Sequence, residues 1–81
     1  MSKHQFAHQL AGYHRDSEVL AVEYDLDPAT FKKVKKVVTA DADDPDLVGS
    51  YPLNNGQLRA IADITGVKFD NDRYEFFLEP A

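Results

Sequence analysis

"EVLAVEYDLDPATFKKVKKVV", residues 18–38, changes its hydrophobic period in the middle. Up to Leu26 the apolar residues alternate. Leu20, Val22, Tyr24 and Leu26 fall on one side, Val19, Ala21, Glu23 and Asp25 on the other. A period of two is the mark of a strand. Beyond Pro28 the apolar positions become Phe31, Val34, Val37 and Val38, which share one side of a helix. Asp27 suits the N-cap, where a carboxylate accepts a backbone N–H left free in the first turn. Pro28 suits the first helical position, where its missing N–H costs nothing. Lys32, Lys33, Lys35 and Lys36 fill the remaining surface, toward the end where the helix dipole favours cations. A strand handing over directly to an amphipathic helix points to an α+β domain.

The flanking sequence extends this pattern. "HQFAHQLAGY" (4–13) alternates, with Phe6, His8, Leu10 and Gly12 opposed to Gln5, Ala7, Gln9 and Ala11. The polar "HRDS" (14–17) then joins two strands into an antiparallel hairpin. Residues 39–50 form an acidic loop, and the "YP" that follows reads as a turn. Asn54 or Asn55 caps a second helix, whose stripe is Leu58, Ile61, Ala62 and Thr65, widened by Ile64. Gly66 ends it in a left-handed conformation. In the closing strand Tyr74, Phe76 and Leu78 alternate with Arg73, Glu75, Phe77 and Glu79. The expected order is β-β-α-α-β. Two helices pack on one face of a three-stranded sheet, in a single α+β domain over residues 1–81.

Nine Lys and Arg against fourteen Asp and Glu give the 81 residues a net charge of −5. That balance opposes a general nucleic-acid binder, which needs cations to displace phosphate counterions. No cysteine is present to form disulfides or thiolate zinc sites. No apolar run approaches the roughly 20 residues of a membrane span. The first ten residues lack the apolar centre of a signal peptide. The expected setting is cytoplasmic.

"ADADDPD" (40–46) concentrates Asp41, Asp43, Asp44 and Asp46. A calcium loop of EF-hand type needs glycine at its sixth position and glutamate at its twelfth. Counted from Asp41, those positions hold Asp46 and Pro52, so no metal is expected. The aspartates instead make a local negative field suited to a cationic protein surface. Tyr51 stands near enough to add apolar area. Phe77, between Glu75 and Glu79 on a face expected to be bare, is a second candidate anchor. His4, His8 and His14 have neither the spacing of a zinc site nor an evident catalytic partner. Ser17 and Ser50 sit in no nucleophile elbow, and the four glycines are too scattered for a phosphate loop. No catalytic residue and no cofactor is expected.

"SYPLNNGQLRAIADITGVKFDNDRYEFFLEP" (50–80) resembles a pattern of small bacterial domains of unknown function, and "VLAVEYDLDPATF" upstream is similar too. The matching residues are Tyr51, Pro52, Leu58, Gly66, Phe69, Asp70, Tyr74, Phe77 and Leu78. Small acidic proteins of this kind resemble immunity proteins of polymorphic toxin systems. The resemblance implies a binder that neutralises a cognate toxin, a nuclease by preference, by occluding its basic surface. The expected partner-binding residues are Asp41, Asp43, Asp44, Asp46, Tyr51 and Phe77, in a monomer or weak homodimer. The alternative is an accessory domain, or a small homodimer joined through a sheet edge, with no toxin partner.

Overall fold

The computed structural model describes residues 7–38, 43–44 and 47–81. Asp41 and Asp46 therefore lie outside the described residues, as do His4 and Phe6. In chain order the elements are β1 (His8–His14), β2 (Leu20–Leu26), α1 (Pro28–Lys35), β3 (Tyr51–Pro52), α2 (Asn55–Thr65) and β4 (Tyr74–Pro80). The sheet has four strands in the order β2-β1-β4-β3, with every neighbouring pair antiparallel.

The three-stranded expectation is corrected here, and so is the reading of Tyr51-Pro52 as a turn. Proline lacks an N–H and is confined to sheet margins. Tyr51 pairs with Leu78 and Pro52 with Phe77, and the Leu53 N–H donates to the Phe76 carbonyl at 2.9 Å. Inward hydrogen bonding alternates along a strand. The nitrogen of Pro52 therefore faces off the sheet, where no donor is needed.

The β1–β2 hairpin closes through His14 N–H to Val19 O at 2.9 Å and Glu18 N–H to His14 O at 2.7 Å. The register shifts after Gly12: Gly12 opposes Val22, but Tyr13 opposes Leu20. The bulge takes Leu20 out of the apolar row that alternation alone assigns to it, and leaves it 42% exposed.

Both helices start as their sequences direct. The Asp27 carboxylate accepts from Thr30 N–H at 2.7 Å, with Pro28 next in the chain. Asn54 and Gln57 form a reciprocal capping box, and Gly66 ends α2 at φ 76°. Their buried residues, Val34 on α1 and Leu58 and Ile61 on α2, join Leu10, Leu26, Phe76 and Leu78 from one sheet face in a single core. Gly12 is required there. A Cβ at this position would lie 2.7 Å from both the Phe76 ring and a Val22 methyl. Among the described residues no helix is long and apolar enough to cross a membrane.

Candidate functional site

Side chains alternate across a strand, so residues that skip the core emerge on the other face of the sheet. No described helix covers that face; it is bare in that sense alone, since Gln9 and Ala11 on it are buried. It presents Gln9, Ala11 and Tyr13 from β1, Glu23 and Asp25 from β2, and Glu75, Phe77 and Glu79 from β4. Register sets Gln9 beside Glu79, Ala11 beside Phe77, and Tyr13 beside Glu75. None of the four strands contains a lysine or an arginine. The four lysines at 32, 33, 35 and 36 belong to α1 and its C-cap, in the helix layer.

Glu79 organises the bare face. Its Oε1 accepts from the Tyr13 hydroxyl at 2.9 Å and from the Gln9 amide at 3.2 Å. Its Oε2 accepts a longer contact, 3.4 Å, from the Ser50 hydroxyl. Gln9 is only 5% exposed, so the carboxylate sits on a buried amide. Tyr13 and Phe77 meet edge to face, with ring centroids 5.6 Å apart and planes at 81°. Burial pushes the Tyr13 hydroxyl above its ordinary range; the hydrogen bond to Glu79 and the negative charges of Glu79 and Glu23 push it the same way. A groove of about 250 Å³ opens here, lined by Tyr13, Phe77, Glu75, Glu79, Glu18 and Ser50 among others.

The acidic loop is built differently. The Asp44 carboxylate accepts from Val48 N–H at 2.9 Å, from Gly49 N–H at 2.8 Å and from the Tyr51 hydroxyl. The Tyr51 hydroxyl, then these N–H groups and the nearby His8, hold the carboxyl below the usual range. Leu47 is wholly buried and takes a left-handed φ of 55°, a conformation that costs a side-chain-bearing residue about 1–2 kcal/mol. Its N–H donates to Asp44 O at 3.1 Å, and its carbonyl lies 3.1 Å from His8 Nε2. The His8 ring in turn stacks on Phe31 at 3.9 Å.

Of the six residues expected to bind a partner, the four that are described do not gather on one surface. Asp43 is exposed, whereas Asp44 closes the loop with Tyr51. Tyr51 opposes Leu78 and packs against the core, and Phe77 points the other way. Asp41 and Asp46 lie outside the described residues. Tyr13 and Glu79, which line the groove around Phe77, and Gln9, which holds Glu79, are not among the residues expected from the sequence. The signal available for them was the missing cation in every strand. Among the described residues, no group of three or more His, Asp and Glu gathers as a metal-binding set. The His14 ring packs edge-on against Tyr74 at 5.2 Å.

Fold and face together define a small antiparallel α+β domain with helices on one side of the sheet and carboxylates on the other. Residues 8–79 match the Domain of unknown function (DUF7683), and the chain belongs to that family. No curated protein and no solved structure matches it.

Proposed function

We propose that this chain is a non-catalytic protein-binding module whose bare sheet face docks a basic partner. One observation carries the reading. Glu23, Asp25, Glu75 and Glu79 share a face whose strands hold no lysine or arginine, around the paired rings of Tyr13 and Phe77. Such a face steers a cationic surface toward itself and offers aromatic area on contact. The net charge of −5 acts in the same direction. In its most concrete form the module is a cytoplasmic bacterial immunity protein. It neutralises a cognate toxin, a nuclease by preference, by covering the basic surface that would hold phosphates. Asp43 supplies peripheral charge, and Asp44 shapes the loop beside it.

The test is co-expression with the product of the neighbouring reading frame, read as growth and as complex recovered on purification. The Glu23→Lys/Glu75→Lys double variant is expected to lose protection and complex, while Asp43→Asn keeps both. Equal protection by the double variant would remove the bare face from the mechanism.

A second reading has its own support. β2 lies at the sheet margin; its first residue, Leu20, is 42% exposed and Val19 just before it 59%. Margins of this kind invite strand pairing, here into a homodimer serving an accessory role. Sedimentation separates the two readings: a concentration-dependent dimer favours the second, a clean monomer the first.

A further inference from the structure

We infer that the groove around Phe77 is an arginine pocket, which receives the guanidinium of one side chain presented by the basic partner. This rests on the docking face proposed above and narrows it to a single contact.

Glu75, Phe77 and Glu79 occupy alternate positions of β4 and so project to the same side. The two carboxylates stand roughly 13 Å apart at the backbone, with the ring between them. Tyr13 meets that ring nearly at a right angle, which makes an apolar corner for a flat group. Glu79 is already oriented. Tyr13 and Gln9 hold its Oε1, and among the described residues Oε2 has the 3.4 Å contact from Ser50. An incoming donor at Oε2 therefore meets a carboxylate that needs little reordering. Glu75 and Glu18 also line the groove, as does His14. Arginine matches these demands better than lysine. Its guanidinium is planar, stacks on aromatic rings, is weakly hydrated and carries donors on several sides. An ammonium is a compact, strongly hydrated point charge. The volume of about 250 Å³ is enough for one long side chain.

The experiment is an amide NMR titration of the purified chain with four probes: the acetylated amides of arginine, lysine and citrulline, and hexalysine. Citrulline keeps the shape of arginine without its charge. Arginine amide is expected to give saturable shifts centred on Tyr13, Glu75, Phe77 and Glu79. It should bind on the order of fivefold more tightly than lysine amide, the scale of a cation–π contact. Citrulline amide should give none. Glu79→Gln, with the rest of the spectrum unchanged, should weaken arginine binding by on the order of fivefold, the scale of one exposed ion pair. Citrulline shifts equal to those of arginine would overturn the pocket, as would arginine shifts scattered over Asp25 and Asp43. Hexalysine collecting on the bare face with no arginine preference at Phe77 would sink the pocket and leave the docking face standing. Silence from every probe on that face would remove both.

Discussion

Phe76 and Phe77 are neighbours in the chain and lie on opposite faces of the sheet. Phe76 is 2% exposed, lies over Gly12 and meets the rings of Phe69 at 5.1 Å and Tyr74 at 6.1 Å. Phe77 meets Tyr13 and otherwise stands between carboxylates. On the helix-covered face, contacts exclude water and the hydrophobic effect holds the fold together. On the opposite face, Tyr13, Gln9 and Ser50 hold the Glu79 carboxylate in place by hydrogen bonds. The contrast gives cohesion to one side and, on the function proposed above, recognition to the other.

The sharpest way to break that contrast is to truncate the two phenylalanines separately. Phe76→Ala should cost about 3–5 kcal/mol, as large-to-small changes at buried aromatics do. Phe77→Ala should cost less than about 1.5 kcal/mol, the scale of one aromatic pair. Denaturant unfolding of both variants measures this, and equal losses would erase the division. Next in size is Gly12→Ala, which forces a methyl against Phe76 and Val22. It should cost about 1–3 kcal/mol by the same measurement, the usual penalty for overpacking.

A smaller effect concerns acid. Asp27, through the Thr30 N–H, and Asp44, through the Tyr51 hydroxyl, both titrate below the usual carboxylate range when folded. The unfolded chain then binds more protons near the ordinary value of about 3.9, so stability rises with pH there. This contribution is complete above that value and is lost as pH falls through the folded values. Both carboxyls serve α1 and its following loop, so Asp44→Asn should flatten the acid limb of a stability-versus-pH curve. An unchanged limb would mean the loop closure contributes nothing. Smallest is a local effect on the bare face. The Tyr13 hydroxyl should ionise above the ordinary tyrosine value, and Glu79→Gln should bring it down. Ultraviolet titration of the phenol reads both.

Much of the covered face was legible in the sequence because its signals are local. The period change at Asp27-Pro28, the Asn54 cap and the Gly66 stop each need only a few neighbouring residues. β3 escaped because proline reads as a turn unless its partner strand is known. Leu20 was misplaced because alternation carries no mark of a bulge. The placement of β4 beside β1 was invisible for a different reason. The contacts that fix it on the bare face, Gln9 and Tyr13 to Glu79, join residues 70 and 66 positions apart. That Phe77 faces away from the core was legible from the alternation of β4. The aspartates of the loop drew attention by number, yet Asp44 is bound by N–H groups four and five positions on and by a tyrosine hydroxyl.

The proline that hid the fourth strand also limits how copies of the chain assemble. An endless ribbon requires two receptive margins on each subunit, so that one copy passes the ladder to the next. Pro52 closes one margin, because its nitrogen carries no hydrogen to give. Any strand exchange between copies is then confined to β2, where a pair satisfies both members and growth stops.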